Sequence, residues 1–538
     1  MIHFDNSHIR RAFAFVLVLG CSVSAVFAQQ IFRDRNYRVR ICVKEDIDQL
    51  AVQGDASYQI LSSEGKPLGT VLGGKPYFVQ ITRGRPGSRV YRLVLHELDG
   101  HMDRDAIRLG MEARDKYKLP VKVMRLPGRT ADATRILVTI GEYGSAQEAQ
   151  DRARKFTEAA IGSIYEDKAV AREGQVRLLG EKGSILANDP QRLRLVPLGG
   201  SESSIALFEV KANKWSSRDV SKARHYRGEI DLVINEQGTL TAVNDLWVEY
   251  YIYSVVPAEI GDEAPLESMK SQAVAARSEA VAKIQMGIVS SSFFDFYDTA
   301  MAQVYKGKGA ECVAGRQAVD ATRGEILVYH GECVDAVYSN SCGGTISTAS
   351  DVWGSTNAGW SRNQYDTLEA GAPDLDSWQA AYEFTSGNHP TLCSPRNAGV
   401  PSYDKSYRWS KTFSGSSFSD MADRMYGTGR VKDVVVDKRT ASGRVSRMRI
   451  IGERRQVSIR RELEIREAMG EVYSTLFTFT KTAGPDGCLG SITIYGAGWG
   501  HGVGMCQNGA RVMAAKGYNY RQILGHYFHD VRIRQLYK

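Results

Sequence analysis

Residues 498–510 read Gly-Trp-Gly-His-Gly-Val-Gly-Met-Cys-Gln-Asn-Gly-Ala, five glycines in thirteen positions. No ordinary strand or helix is built this way, because each glycine adds backbone entropy to the unfolded chain and packs nothing. Such a run is kept where another backbone or a ligand must come close. This one carries a single imidazole, His501, between Trp499 and Gln507. A glycine track presenting one His, one Trp and one Gln reads as part of a site. A glycine-rich barrel turn with a structural His is the plain alternative.

At 538 residues the chain exceeds one ordinary core, so roughly two to four domains are expected. Apolar content of 43% and charged content of 24% are those of a globular chain. The net charge of +8 suits an acidic polymer or a membrane surface, but Lys and Arg never run in blocks. Without zinc-finger spacing, an RRM signature or a basic amphipathic helix, nucleic acid is excluded as a partner. Arg10-Arg11 precedes the apolar run 12–28, and Val26-Phe27-Ala28 offers the small residues a signal peptidase reads. A secretory signal peptide over 1–28 is expected, because a spanning helix needs about twenty apolar residues. The mature protein is then exported, to a periplasm or cell envelope. Val18-Leu19-Gly20-Cys21 is a loose lipobox, and a lipidated Cys21 would be the chain's one attachment to a membrane.

Beyond the signal lie seven cysteines, Cys42, Cys312, Cys333, Cys342, Cys393, Cys488 and Cys506. An odd count in an oxidising compartment leaves at least one free, metal-bound or intermolecular. Four fall between 312 and 393, where stapling is expected.

The predicted fold class is α+β and multi-domain, with β-rich N-terminal modules followed by a mixed α/β domain. Residues 29–115 alternate short strands and turns, as in Tyr37-Arg-Val-Arg-Ile-Cys-Val43. Residues 116–172 read as a small α+β module: strand 135–140, turn 141–144, then a capping box at Ser145-Ala-Gln-Glu148 opening a helix to about residue 161. Residues 173–224 return to strands, and a hairpin turn is expected at 235–238. The Ser/Gly/Pro-rich stretch 386–417 reads as a surface excursion of the last domain.

Two segments carry the chemistry. Tyr253-Ser-Val-Val-Pro-Ala-Glu259 reads as an apolar strand ending in a carboxylate. Pro265 and Gly287 then bracket a helix in which Leu266, Met269, Ala273, Ala276, Ala280 and Ile284 recur at helical spacing. The alanines let this helix sit close behind Glu259. Partial desolvation there would raise the Glu259 pKa and keep a proton available near neutral pH. The plain alternative is a helix cap, or an ion pair with Arg277.

Further stretches are Asp298-Thr-Ala-Met-Ala-Gln303-Val-Tyr305-Lys-Gly307 and Ala336-Val-Tyr338-Ser-Asn-Ser-Cys342-Gly-Gly-Thr345. Taken with Val-Val-Pro-Ala-Glu259, Lys-Ser-Gln-Ala-Val-Ala-Ala-Arg277, the glycine track and Ile-Leu-Gly-His-Tyr527, their order resembles the SpoIID/LytB family of cell-wall proteins over residues 225–538. The segment 135–161 resembles half of a SPOR-type glycan-binding module, with a generic α+β unit as the alternative.

The SpoIID/LytB resemblance implies a lytic transglycosylase cleaving MurNAc–GlcNAc linkages of peptide-free peptidoglycan strands, with Glu259 as catalytic acid and base. His501, Trp499, Gln507, Tyr338, Ser339 and Gln303 are the candidate sugar-binding residues. No cofactor is required by that chemistry. The LytB branch implies the rival reading, a non-catalytic wall-binding enhancer of an N-acetylmuramoyl-L-alanine amidase, with that amidase as partner. Ile260-Gly261 stands where the family usually has Met-Pro. Some sporulation members hold a structural zinc near the segment matching 330–342, which here would use His330, Cys333 and Cys342. Ser339-Asn340 replaces the usual Tyr-His, so a disulfide drawn from Cys312, Cys333 and Cys342 is the preferred expectation. A Cys/His hydrolase built on Cys342 or Cys506 with His501 lacks an orienting third group. A purely structural envelope protein would tolerate replacement of either Glu259 or His501.

Overall fold

Two large sheets form the N-terminal half of the computed structural model. It describes residues 37–538 apart from 86–88, 100–101, 128–133, 157–162, 169–172, 210–222, 286–292, 300–301, 355–358, 370, 372, 388 and 396–403. The expected signal peptide and Cys21 lie outside the described residues. No described helix is long and apolar enough to cross a membrane.

The seven-stranded sheet runs, in spatial order, Phe296–Tyr297, Arg38–Ile47, Leu240–Trp247, Glu229–Ile234, Arg192–Pro197, Tyr58–Leu61 and Pro67–Val71. The six-stranded sheet runs Ile185–Asp189, Gln175–Leu179, Pro76–Thr82, Gln49–Gly54, Ser204–Glu209 and Arg224–Arg227. Val39, Ile41, Val52, Val79, Leu178, Leu195, Ile205 and Ile230 are buried in one shared core. Each strand gives up alternate residues to it, as period-2 patterning requires. The predicted hairpin forms: Asn235 accepts from the Gln237 and Thr239 amides, and Gly238 takes φ +79° to close the turn.

The pairing divides the chain differently from the sequence reading. Arg38–Ile47 lies against Leu240–Trp247, with Cys42 opposite Val243, so 37–85 and 173–247 build one interleaved unit. The boundary expected at 224 cuts through it, and the one expected at 115 falls inside the helix Asp103–Tyr117 of the intervening module. Hairpins announce themselves by their turns, whereas partners two hundred residues apart leave no local mark. The same core takes in Tyr251, Val255, Met269 and Ala276, so this unit is continuous with the helices that carry Glu259.

Between its two halves sits a separate module, 89–168. Strand Arg89–Asp99, helix Asp103–Tyr117, strands Val121–Pro127 and Thr134–Tyr143, helix Ala146–Ala153 and strand Ser163–Lys168 follow a β-α-β-β-α-β order. In space the strands run second, third, first, fourth, all antiparallel, which is the ferredoxin-like arrangement. The expected 116–172 module thus captured only the second half of this unit. Ser145 caps its helix at the Glu148 amide, but Glu148 answers to Gly144 N rather than closing the box on Ser145.

The segment read as a strand before Glu259 is a helix, Val248–Ile260, with Pro257 inside it. Its core neighbours surround it, so it shows neither strand nor helix period and the β-branched residues mislead. The next helix, Leu266–Gln285, forms as predicted, but it is buried from 268 to 284, Lys270 apart, rather than along one stripe. Ala273, Ala276 and Ala280 face the core just described, while Val274 and Ala275 face a second one with Val337, Met505 and Ala510. Small side chains are what let two cores meet across a single helix. Leu266, the first of the predicted stripe, is exposed.

The described part of 386–417 is no surface excursion. Leu392, Cys393 and Tyr407 are buried in the second core, and Arg408–Ser414 pairs with Leu489–Ala497.

Candidate active site

Glu259 occupies the last turn of its helix, which Gly261 ends at φ +90° while donating to Pro257 O. The carboxyl is partly exposed, and its Oε1 accepts from Val304 N at 2.7 Å. Burial raises its pKa from 4.5 to about 7, and the Glu279 charge pushes the same way. Hydrogen bonds from Val304 and Gln507 and the charge of Lys306 oppose the rise without cancelling it. The negative end of the helix dipole also disfavours a second negative charge there. Glu259 is therefore protonated over most of the acidic and near-neutral range.

The alternative ion pair goes elsewhere. Arg277 is fully buried and grips Glu249 through two bonds of 2.9 and 2.6 Å. Gly324 N and Tyr537 OH complete the shell of Glu249. Glu279 is likewise committed, to Lys283 and to Gln303 Nε2. The nearest second carboxylate is thus held in its own ion pair, and Glu259 has no basic side chain paired to it among the described residues.

Around Glu259 the fold gathers polar groups from four segments. Gln507 opens the helix Gln507–Ala515 and reaches both Glu259 and Gln272 Oε1, the latter at 3.3 Å. Gln303 spans Ala276 O and Glu279. The Tyr338 hydroxyl lies near Glu259, Glu279 and Gln303, and burial holds its pKa well above the ordinary tyrosine value. Tyr338 and Ser339 form a short parallel ladder with Met505 and Cys506, which fixes Gln507 against this wall. Among the described residues, Tyr338 OH, Ser339 Oγ, Gln272 Nε2 and Gln303 Oε1 are buried with no hydrogen-bond partner. Unpaired buried polar atoms are costly and rare, and those of Tyr338, Gln272 and Gln303 gather around one protonated carboxyl.

The glycine track explains itself in this geometry. Gly504 holds φ +69° against the Val337 carbonyl, where any Cβ would collide. His501 is used structurally: Nδ1 accepts from Val503 N at 3.1 Å, so Nε2 carries the proton and donates to Tyr338 O at 2.9 Å. Burial lowers its pKa to about 3, so the ring stays neutral. Its two nitrogens hold backbone, which leaves sugar contact to its neighbours. Trp499, at the other end of the track, is 47% exposed and stacked on Tyr473 at 5.2 Å.

Of the predicted site residues, Glu259, Gln303, Tyr338 and Gln507 are thus brought together, Ser339 instead sets its Cβ toward Gly500, and His501 braces the Tyr338 backbone. Gln272, Glu279 and the Val304 amide were not singled out from sequence. Gln272 carried one legible signal, a long polar side chain amid alanines on a buried helix.

The expected cysteine chemistry is rearranged. Cys312 Sγ accepts from Gly315 N as a helix cap, Cys333 Sγ donates to Ser278 O, and His330 takes φ +48° at a turn. Cys342 instead meets Cys393, Asp366 and Cys506, their ligand atoms all within 4.8 Å of one another. Neither a zinc on His330, Cys333 and Cys342 nor a disulfide among Cys312, Cys333 and Cys342 fits these positions. Cys506, with its thiol capping Gly509 N, is likewise no nucleophile for His501, whose nitrogens are occupied.

Residues 236–329 match the family described as stage II sporulation protein, SpoIID. Residues 347–504 match a family described as a domain of unknown function. The first match contains Glu259 and Gln303, and the second contains Trp499 and His501. An uncharacterized protein of Brachyspira hyodysenteriae is 28% identical over 309 residues, covering 57% of this chain and 72% of the relative. The amidase enhancer of Bacillus subtilis is 28% identical over 298 residues, 51% of this chain but 39% of the relative. Stage II sporulation protein D of Bacillus amyloliquefaciens is 26% identical over 309 residues, 55% of this chain and 76% of the relative. These matches support the SpoIID/LytB family resemblance read from the motifs.

Proposed function

From a SpoIID-matching segment that ends its central helix on a proton-holding Glu259, we propose that this protein remodels peptidoglycan as an exported lytic transglycosylase. Glu259 protonates the glycosidic oxygen between MurNAc and GlcNAc, and an oxocarbenium-like centre develops at C1. The resulting carboxylate takes the proton from the MurNAc C6 hydroxyl as that oxygen closes onto C1. The product is a 1,6-anhydro ring, no water is consumed, and Glu259 ends protonated as it began. Because the nucleophile belongs to the substrate, one carboxyl suffices, unlike the paired carboxylates of an ordinary glycosidase.

The observation that carries this reading is the group of unpaired buried atoms around Glu259: Tyr338 OH, Gln272 Nε2 and Gln303 Oε1. Donors and acceptors in that mixture suit sugar hydroxyls and amides. Trp499 and Tyr473 add an exposed aromatic face for a further sugar. The module 89–168 would hold the enzyme on glycan.

The amidase-enhancer relative favours a second reading, a non-catalytic wall protein that activates an amidase. Incubating mature protein with peptide-free glycan strands and scanning for anhydro-MurNAc ends by mass spectrometry separates the two. Anhydro ends from wild type and none from folded Glu259→Gln are expected. Absence of product from wild type on both denuded and intact wall overturns the enzyme and leaves amidase stimulation as the activity to assay.

A further inference from the structure

The thiol cluster lies behind the acid site, and nothing in the proposed chemistry uses it. Cys342, Cys393 and Cys506 come from three distant stretches and meet around Asp366, all four buried and mutually within 4.8 Å. The Cys342 and Cys393 sulfurs are 3.5 Å apart, and Cys342 Sγ is 3.1 Å from Asp366 Oδ2. Tetrahedral zinc with 2.3 Å bonds to sulfur sets its thiolates about 3.8 Å apart, close to this spacing.

Backbone amides converge on the sulfurs. Cys506 Sγ accepts from Cys342 N at 3.3 Å and from Gly509 N at 3.4 Å, at the head of the helix Gln507–Ala515. Cys342 Sγ accepts from Gly344 N at 3.4 Å. Asp366 Oδ1 is held by Tyr527 OH at 3.1 Å and faces His526 Nε2 at 3.4 Å.

Charge gives an independent indication. Arg444 is buried beside the cluster, donating to Cys342 O at 2.8 Å, and Arg408 donates to Gly343 O at 2.8 Å. Neither has a carboxylate within ion-pair distance among the described residues, and both are electrostatically coupled to Cys342 and Cys393. Two buried or half-buried guanidinium charges without acidic partners need compensation. A divalent ion bound by three thiolates and one carboxylate carries a net charge of minus two. The two arginines balance it.

We infer that Cys342, Cys393, Cys506 and Asp366 form a structural zinc centre, which clamps the Tyr338–Ser339 strand to the start of the Gln507 helix. All four positions are filled by protein, so the ion is structural rather than catalytic. Cys506 immediately precedes Gln507, so the centre positions the residue that reaches Glu259. The same coordination protects three thiols from oxidation outside the cell.

Elemental analysis of the mature wild-type protein, folded with zinc supplied, is expected to give about one zinc per chain. Cobalt substitution should give a sulfur-to-metal charge-transfer band and the intense visible absorption of a tetrahedral site. Cys393→Ser and Asp366→Asn should lower the metal content, whereas Cys312→Ser and Cys488→Ser should retain it. If Cys393→Ser fails to fold, Cys393→His, which keeps a ligand, should still bind cobalt with a shifted spectrum. Metal-free wild type whose peptide map shows a Cys342–Cys393 disulfide overturns the inference. So does full zinc content in folded Cys393→Ser and Asp366→Asn together. These readouts do not depend on glycan cleavage, so they stand or fall apart from the proposed activity.

Discussion

Replacing Glu259 with Gln tests the environment of the acid without reference to any substrate. Gln keeps the shape and can still accept from Val304 N through its Oε1. It removes only the ionisation. In wild type, burial raises the carboxyl from 4.5 to about 7, so the folded chain binds this proton more tightly than the unfolded one. The associated stability is therefore full below pH 4.5 and is lost as pH rises through about 7. A shift of that size corresponds to about 3 kcal/mol at full ionisation, and the carboxyl's partial exposure lowers this to roughly 1–2 kcal/mol. Glu259→Gln should match wild type at pH 4.5 and exceed it by roughly 1–2 kcal/mol at pH 8.5. Six of the seven tryptophans lie at or after residue 247, so urea unfolding followed by tryptophan fluorescence reports this region. The difference between the two proteins, taken at each pH, cancels every other titrating group. A difference that stays flat from pH 4.5 to 8.5 would falsify the raised pKa, and the proton-donor role with it.

Gly504→Ala should cost about 2–4 kcal/mol, because the position combines a positive φ with backbone contact at Val337 O; thermal unfolding reads it directly. Arg277→Met should destabilise by about 3–5 kcal/mol by stranding the Glu249 carboxylate, and adding Glu249→Gln should recover part of that loss. An unchanged double mutant would mean that Arg277 acts through packing rather than charge. His501→Ala orphans Val503 N and Tyr338 O and should cost about 2–3 kcal/mol in denaturant unfolding. That cost should not vary between pH 5 and 8, because the ring is neutral throughout. Trp499→Ala, at an exposed side chain, should leave stability within about 0.5 kcal/mol but weaken glycan-strand binding about tenfold in a pull-down titration.

Sequence alone determined the local devices. The hairpin at 235–238, the cap at Ser145 and the alanine-rich helix were legible because turn chemistry, capping and helical spacing are written within a few residues. So was the pairing of a carboxylate at 259 with a close-packed helix, and the reason for glycines from 498 to 504. What lay beyond reach was whatever depends on partners far away in the chain. The helix Val248–Ile260 read as a strand because a segment buried on all sides has no period. The strand pairing of 38–47 with 240–247 left no local trace, and so the module boundaries were misplaced. His501 looked like a ligand-facing group because an imidazole among glycines does not reveal that both its nitrogens hold backbone. The cysteines are the clearest case. Proximity in sequence favoured Cys312, Cys333 and Cys342, but a cluster of side chains is a statement about space. Only the tertiary fold, by laying 338–339 beside 505–506 and folding 366 and 393 over them, brought Cys342, Asp366, Cys393 and Cys506 to one point.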